Sequence, residues 1–509
     1  MQNEKTEGRR LTSKTVFTSS FLIPHSVFIL IALLALAIRL PQLGERPMHT
    51  DESVNAYITG DLLAGKSFHY DPQDRHGPAL FVIAEPVARL LGAKNFSELT
   101  EVQLRLSTVI TGTAMVLLFG AGVEMFGFIP CLIAALLFAF APLPVYYSRY
   151  FIHETLFVAA TFGLILSGWR ALKNKSVRFA TLAGFCAALM LACKETAVIH
   201  FFAIGVALFA ARLKTPASTV PAPKMLFAAL AVFIFTAILL FTWFGRNWAV
   251  MADLLHAIPR FAARAGGEGH EKPFGYYFKF LATGWSGALI LALAIPGLMY
   301  SRFSARRIFL AVYALVVFAV YSAIPYKTPW LALNFWLPLA LLAAIAIESF
   351  WLVRPKISTR SLVVVLICVC GFSIWHDTRK YVFQIPADEK NPYAYAHTVE
   401  DLLRLAPRLQ QLESQNNLSN PRIAVVAADA WPLPWYLRKF SQVGFWQPGE
   451  NPGAADFFIT SPAAAEKLGD QLKTFRPEFF GVRPEVLIML WSPAATNAAT
   501  ETTQPPQKP

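Results

Sequence analysis

The chain has 509 residues, of which 55% are hydrophobic, 14% aromatic and only 15% charged, whereas soluble domains carry about a quarter charged residues. With a mean hydropathy of +0.46, this composition excludes a disordered chain, a coiled coil and a disulfide scaffold. It predicts a membrane protein with many spans. The net charge of +13 suggests either nucleic-acid binding or basic cytoplasmic loops, and the positions of the charges decide between them.

Apolar runs follow one another along most of the chain. A span needs about 20 apolar residues, and about 11 runs approach that length. They lie near residues 21–40, 104–126, 128–147, 152–171, 178–193, 195–212, 225–245, 281–300, 307–325, 329–352 and 359–376. The first run follows a basic N-terminus as a signal peptide does, but it lacks a small-residue cleavage site, so we predict a retained anchor.

Basic residues concentrate in alternate connections between these runs. They are found in 1–20, 172–178, 211–224, 301–307 and 353–360. Placing the N-terminus in the cytoplasm puts all of these segments inside, as the positive-inside rule requires. The distribution explains the basic charge without nucleic acid. It predicts a multi-pass protein of the plasma (inner) membrane with an extracytoplasmic C-terminal region.

The sequence therefore predicts an all-α polytopic membrane protein with a small extracytoplasmic α/β domain at its C-terminal end. Helical stretches are expected at 51–65, 77–92 and 393–413, and strands at 423–427, 457–460 and 486–490. The predicted divisions are a cytoplasmic N-terminus (1–20), a transmembrane domain (21–376) with large external loops at 41–103 and 246–280, the α/β domain (377–492) and a disordered tail (493–509).

Polar residues beside apolar runs are functional candidates, because a charge in lipid is costly. The first loop contains HTDE, in which Asp51 and Asn55 share a helix face and Glu52 lies beside them. The alternative is an ordinary acidic helix N-terminus. Further along, Arg75 and His76 lie in DPQDRHGP. They suit contact with an anion, or they belong to a polar turn.

Three more polar groups fall on the same predicted side of the membrane. They are Arg149 with His153 and Glu154, Lys194 with Glu195, and Tyr326 with Lys327. Each has a structural alternative. These alternatives are an interfacial belt of Tyr and Arg, a mutually neutralising pair at a helical corner, and a snorkelling lysine beside an aromatic anchor.

Motifs for other chemistries are missing from the sequence. It has no Walker A sequence, no GxGxxG after a strand, no Asp-x-Asp and no HExxH. The cysteines lie in or beside apolar runs and are expected to be small core residues. We therefore predict no cofactor and no metal site. A divalent metal held by carboxylates stays open, but nothing in the sequence indicates one.

The ensemble of motifs resembles the GT-C membrane glycosyltransferases, which include the protein O-mannosyltransferases and the aminoarabinose transferases of lipid A. The segments that carry this resemblance are HTDESVNAY, YDPQDRHGP, SRYFIHETL, CKETAVI and YKTPWLALNFW. These segments look most like the flippase-activity-associated family of archaeal-type glycosylation. The resemblance implies a multi-span fold that uses polyprenyl-phosphate sugars at the outer face of the membrane.

The resemblance also implies roles for single residues. Asp51 matches the catalytic acid of the first loop, Glu52 lies beside it, and Glu154 is near a second acidic position where the wider group often has Asp. Lys194 and Lys327 match positions that face the lipid phosphate. The remaining candidates are Arg75, His76 and Arg149 for the phosphate, and Asn55, His153, Glu195 and Tyr326 for orienting the acceptor.

The sequence leaves three functions open. The leading hypothesis is a glycosyltransferase that moves a sugar from a polyprenyl-phosphate donor to an extracytoplasmic protein, glycan or glycolipid acceptor, with Asp51 as general base. A transporter or flippase of lipid-linked sugars needs polar residues through the membrane midplane, but the candidates here concentrate at one face. The third function is a non-catalytic membrane scaffold.

Overall fold

The computed structural model describes residues 26–72, 76–214, 221–267, 269–302, 304–353 and 357–494. Several predictions lie outside these residues. They concern the cytoplasmic N-terminus, the phosphate contact of Arg75 and almost all of the disordered tail.

Each predicted apolar run coincides with one helix or with two consecutive helices. The helices, numbered in chain order, are α1 (Ser26–Arg39), α2 (Thr50–Leu63), α3 (Ala79–Leu90), α4 (Glu101–Phe126), α5 (Phe128–Phe140), α6 (Pro142–Ser148), α7 (Glu154–Asn174), α8 (Val177–Cys193), α9 (Ala197–Arg212), α10 (Pro223–Phe241), α11 (Val250–Arg264), α12 (Tyr276–Leu281), α13 (Gly284–Ser301), α14 (Ala305–Ala323), α15 (Leu333–Val353), α16 (Ile357–Thr378), α17 (Leu405–Gln415), α18 (Leu433–Tyr436) and α19 (Pro462–Leu468). A 3₁₀ turn at Pro329–Ala332 leads into α15, and a π-helical turn at Arg379–Gln384 follows α16.

Six helical segments in the described residues are long and apolar enough to cross a membrane. Helices α5 and α6 meet at a bend of 59° and would form a seventh span if counted together. Three further apolar helices, α1, α8 and α9, are shorter. The multi-pass character is therefore confirmed, while the count of about 11 spans stays a prediction.

The described residues pack as two compact units. The membrane unit contains the residues up to Arg46 together with Asn55–Tyr395, and the C-terminal unit contains Pro47–Val54 together with the residues from Ala396 onward. Segment 377–395 thus packs with the membrane helices, because Tyr146 Oη donates to the Pro386 carbonyl (2.8 Å) and Tyr147 Oη to that of Tyr393 (3.0 Å).

Small residues let pairs of membrane helices approach closely. A Cβ atom built on Gly297 of α13 would lie 2.0 Å from the Leu342 carbonyl oxygen of α15, and one on Gly184 of α8 would lie 2.1 Å from that of Ala229 in α10. Glycine is required at both positions, because only the missing side chain permits this backbone contact.

We expect Gly297→Ala to lower the free energy of unfolding by about 1–3 kcal/mol, because the added methyl group forces α13 away from α15. Gly205→Ala in α9 is the matched control, since a Cβ atom there meets nothing within 4 Å. It should instead stabilise its helix by about 0.5–1 kcal/mol. Thermal unfolding in detergent measures both changes, and equal shifts in the two variants would refute the packing argument.

The C-terminal unit contains a five-stranded mixed sheet in the order β2-β1-β3-β5-β4. The strands are β1 (Ile423–Val426), β2 (Val443–Trp446), β3 (Phe457–Thr460), β4 (Phe475–Arg483) and β5 (Val486–Pro493). Strand β1 pairs in parallel with β2 and β3, while β5 is antiparallel to β3 and β4. The predicted α/β domain is confirmed, although the sequence reading missed β2 and β4, and the long helix expected from 393 begins as a 3₁₀ turn at Glu400.

Candidate functional site

The loop before α3 meets the break between α8 and α9 through Glu195. Tyr70 Oη donates to Glu195 Oε1 at 2.7 Å, and His76 Nδ1 lies 3.1 Å from Glu195 Oε2. Burial alone would raise the pKa of Glu195, but His76 and the Tyr70 hydroxyl outweigh it and lower this pKa to about 2. Glu195 is therefore an ionised carboxylate held in place by two side chains from the first loop.

Glu154 and Lys194 form a buried ion pair in the same region. Their side chains are 2% and 6% exposed, and Lys194 Nζ donates to Glu154 Oε1. Glu154 is the first residue of α7, where the positive end of the helix dipole favours a carboxylate. Lys194 ends α8 in an extended conformation. Lys194 is thus neutralised by Glu154 of a neighbouring helix and not by the adjacent Glu195.

His153 ties the second external turn to the first loop. Its Nε2 lies 3.0 Å from the Gly77 carbonyl oxygen, and its ring is 5.5 Å from that of His76. Burial, with the nearby His76 and Lys194, lowers the pKa of His153 well below its ordinary value. The imidazole is neutral at pH 7, so Nε2 donates to the carbonyl and Nδ1 remains an acceptor.

Gly77 makes this assembly geometrically feasible. Its N–H donates to the Cys193 carbonyl at 3.3 Å, and a Cβ atom at Gly77 would lie 2.3 Å from the Ala192 carbonyl oxygen. The loop therefore lies directly on the C-terminal end of α8. We call the assembly of Tyr70, His76, His153, Glu154, Lys194 and Glu195 the loop-1 cluster.

Lys327 and Tyr326 lie in a second assembly of the membrane unit. Residues 325–327 pair with 270–272 as a short antiparallel bridge, in which the Lys327 N–H donates to the His270 carbonyl at 3.0 Å. Lys327 Nζ donates to the carbonyls of Lys272 and Ile324, and burial lowers its pKa. The Tyr326 ring lies 4.9 Å from that of His270.

Arg149 is engaged in holding backbone. Its guanidinium donates to the carbonyls of Arg39 (3.1 Å), Pro41 (2.7 Å) and Gln42 (3.1 Å), just after α1 ends. Burial, followed by three neighbouring arginines, lowers its pKa to about 9, so it keeps its charge at pH 7. These bonds satisfy carbonyls that the end of a helix leaves without partners.

Asp51 and Glu52 lie at the start of α2 in the C-terminal unit, and they differ in exposure. The Asp51 side chain is 47% exposed, whereas Glu52 is fully buried and accepts the His49 N–H at 3.2 Å. The Asp51 N–H donates to His49 Nδ1 at 3.0 Å. Glu52 thus supports the helix start, while Asp51 presents its carboxylate at the surface of the unit.

The segment that bears Asp51 is anchored on the C-terminal residues. The Met48 N–H donates to Tyr436 Oη at 2.9 Å, and Thr398 Oγ1 donates to the Met48 carbonyl at 2.7 Å. The His49 ring lies 5.5 Å from that of His397. Asn55, four residues after Asp51, belongs to the membrane unit, where its Nδ2 donates to the Phe151 carbonyl at 3.0 Å.

The sequence analysis did not single out several residues that take part in these buried polar groups. Tyr70 directly precedes the polar DPQDRHGP segment, and that position was the one available signal. A buried triad in the membrane helices was also missed, in which His200 Nδ1 lies 2.7 Å from Tyr313 Oη and Nε2 lies 3.2 Å from Tyr321 Oη. Over the described ranges, no group of three or more His, Cys, Asp or Glu side chains is placed to hold a metal ion.

Glu195→Gln is expected to destabilise the protein by about 3 kcal/mol at pH 7, because a pKa lowered from 4.5 to about 2 corresponds to that free energy. The depressed pKa stabilises the fold above the unfolded value and loses this effect as pH falls from about 4.5 towards about 2. The difference between wild type and variant should therefore shrink in acid. Unfolding at pH 7 and pH 3 measures it, with Asp61→Asn, which removes a surface contact with Lys66, as control at about 0–1 kcal/mol.

This chain is similar to known proteins both in sequence and in fold. The family model of the dolichyl-phosphate-mannose-protein mannosyltransferases matches residues 75–241. The structure of ArnT from Cupriavidus metallidurans bound to undecaprenyl phosphate is similar over 91% of this chain and 97% of that chain, with 13% identity and a TM-score of 0.66. No curated protein sequence matches.

Two larger transferases share the fold over most of this chain. The oligosaccharyltransferase AglB from Archaeoglobus fulgidus, in complex with an inhibitory peptide and a dolichol-phosphate, is similar over 93% of this chain and 76% of that chain, with 13% identity and a TM-score of 0.55. The arabinofuranosyltransferase AftD from Mycobacteria is similar over 92% and 40%, with 15% identity and a TM-score of 0.53.

Proposed function

Because this chain is a multi-pass membrane protein with the GT-C glycosyltransferase fold, we propose that it transfers a sugar from a polyprenyl-phosphate donor to an extracytoplasmic acceptor. The observation that carries the proposal is the loop-1 cluster. In this cluster the buried Lys194 pairs with Glu154, and His76 of the first loop pairs with Glu195 at the break between α8 and α9. The similar structures of ArnT and AglB contain polyprenyl phosphates, which supports this donor class.

The chemistry needs one base and several cations. An acceptor hydroxyl attacks the anomeric carbon, its proton passes to a carboxylate, and the bond from that carbon to the phosphate oxygen breaks. Asp51 is the proposed base, since it is the most exposed of the predicted catalytic carboxylates. With a single carboxylate as base, the transfer inverts the anomeric configuration.

Lys194, His76 and Lys327 are the proposed contacts of the departing phosphate. A cation buried with only one carboxylate partner, as Lys194 is with Glu154, stabilises a developing negative charge more strongly than an exposed one. We assign Arg149 no contact with the donor, because its guanidinium is occupied by three backbone carbonyls. Glu154 then orients Lys194, and His153, Asn55 and Glu195 position the loop around it.

The test uses the purified protein in proteoliposomes that carry a radiolabelled polyprenyl-phosphate sugar. Transfer of label to an added acceptor fraction, with release of polyprenyl phosphate, is the expected result. Movement of intact lipid-linked sugar across the bilayer without an acceptor would instead favour a flippase. If neither transfer nor movement occurs, and the protein still binds other proteins of a glycosylation pathway, the proposal is wrong and the protein is a membrane scaffold.

We also propose that the C-terminal unit lies outside the cytoplasm of a cell that carries the protein in its inner membrane. The basic connections between the helices support this orientation. A cysteine can be introduced at Ser414, an exposed position of α17. It should react with a membrane-impermeant maleimide in cells whose outer membrane is permeabilised while the inner membrane stays sealed. Labelling only after lysis would reverse the orientation.

A further inference from the structure

A large apolar cavity lies among the membrane helices, lined by residues that belong to none of the catalytic segments. Its volume is about 620 Å³, within the about 300–1,000 Å³ range of small-molecule sites. Helices α5, α13, α15 and α16 form its walls, with Ile38 of α1 at one edge. The side chains that line it are almost all aliphatic or aromatic.

Gly371 and Cys370 show how the wall on α16 is built. Both residues line the cavity, and a Cβ atom added at Gly371 meets nothing within 4 Å. A side chain added at Gly371 would therefore project into open space at the wall of the cavity. A cavity with such a lining does not hold ordered water, because water needs polar partners. Within a bilayer, a hydrocarbon chain is the matching occupant.

One end of the cavity is polar and cationic. Its lining there includes Thr378, Arg379 and Phe383, and the Arg379 guanidinium carbon lies 5.7 Å from the centre of the Trp375 ring. In the part of the chain that the structure describes, no carboxylate forms an ion pair with Arg379. The neighbouring Asp377 is directed elsewhere, since its Oδ2 accepts from the hydroxyls of Ser286 and Ser373, each at 3.2 Å.

We propose that this cavity is a binding site for one membrane phospholipid with an anionic headgroup. One acyl chain fills the apolar part between α5 and α16, and the phosphodiester pairs with Arg379 at the level of Trp375. Aromatic rings and cations occupy this interfacial level in membrane proteins, and each cation near the surface favours anionic lipid by about 1 kcal/mol.

The occupant is a resident lipid and not the sugar donor. Among the residues that the structure describes, none of segments 68–72, 76–78, 153–154, 194–195 or 324–328, which carry the loop-1 cluster and Lys327, lines the cavity. A phosphate held at Arg379 is thus bound without any proposed catalytic side chain. The site joins the π-helical turn at Arg379–Gln384 to α5 and α13, so its lipid would stabilise the packing of segment 377–395.

The experiment measures lipid retention on the full chain by native mass spectrometry. Protein stripped with detergent is incubated with equal amounts of palmitoyl-oleoyl phosphatidylglycerol and phosphatidylcholine. We expect one phosphatidylglycerol per chain, with a preference over phosphatidylcholine of about fivefold. Gly371→Leu should reduce retention by placing a branched side chain in the part of the cavity that the acyl chain would occupy, while Gly205→Leu, on an open face of α9, should retain the lipid.

Arg379→Gln tests the headgroup without altering the interior. It should remove the preference for phosphatidylglycerol, while Lys380→Gln, whose ammonium lies over the Tyr381 ring and does not line the cavity, should preserve it. Retention that is unchanged in Gly371→Leu, or a preference that is unchanged in Arg379→Gln, would overturn the proposal. Displacement of the bound lipid by equimolar polyprenyl monophosphate would overturn it as well, in favour of a donor site. None of these readouts requires transferase activity.

Discussion

Replacing Asp51 with asparagine is expected to abolish sugar transfer while leaving the protein folded. Loss of a general base lowers the rate by about 10²- to 10⁴-fold. The amide keeps the size of the side chain, and the bond from the Asp51 N–H to His49 Nδ1 does not involve the carboxylate. Transfer of label from a polyprenyl-phosphate sugar in proteoliposomes measures the rate, and thermal unfolding in detergent reports the fold.

Variants of two other carboxylates on the same helix show whether a loss of transfer in Asp51→Asn comes from the missing base or from a change in folding. Asp61→Asn, also on α2, removes only a surface contact with Lys66 at 2.8 Å and should leave transfer unchanged. Glu52→Gln should affect folding before chemistry, because Glu52 is buried and holds the His49 N–H. Wild-type transfer by Asp51→Asn would exclude Asp51 as the base.

Breaking the Lys194–Glu154 pair is expected to affect both stability and transfer. Lys194→Met leaves a buried carboxylate without its cation, and breaking such a pair costs about 3–5 kcal/mol. The side chains are 6% and 2% exposed, so solvent compensates little. The exposed pair of Lys66 and Asp61 is the control, where the same kind of change costs about 0–1 kcal/mol.

The double variant Lys194→Met with Glu154→Gln distinguishes a structural pair from a phosphate-binding lysine. It leaves no unpaired buried charge, so we expect it to recover most of the lost stability. If Lys194 contacts the donor phosphate, transfer stays low in the stable double variant and the KM for the donor rises. Recovery of transfer together with stability would show that Lys194 has only a structural role.

A smaller effect is expected where the C-terminal residues hold the segment before α2. Tyr436→Phe removes the hydroxyl that accepts the Met48 N–H at 2.9 Å, and loss of one such bond costs about 0.5–1.5 kcal/mol. Asp51 itself is untouched. Transfer should therefore fall in kcat with an unchanged pH profile, and Tyr57→Phe, whose side chain is 39% exposed on α2, is the control.

The sequence analysis did not predict helix α11 (Val250–Arg264). It did predict multi-pass membrane character, the positions of the apolar helices and a C-terminal α/β domain. These features depend on the hydropathy of consecutive residues, which is local information. The strand β2 was missed because VGFW is a run of only four residues that contains a glycine and shows no alternation of polar and apolar residues. The strand β4 was missed because its run is interrupted by Pro477 and two charged residues, Arg476 and Glu478.

Partnership between distant polar side chains was decided by the tertiary structure alone. Sequence proximity suggested that Lys194 pairs with Glu195, but Lys194 pairs with Glu154 and Glu195 with His76 and Tyr70. Likewise, the sequence does not reveal that the Arg149 guanidinium donates to three backbone carbonyls. Buried donors and acceptors take whichever partner the helix packing brings within about 3 Å, and that packing depends on contacts more than 100 residues apart in the chain.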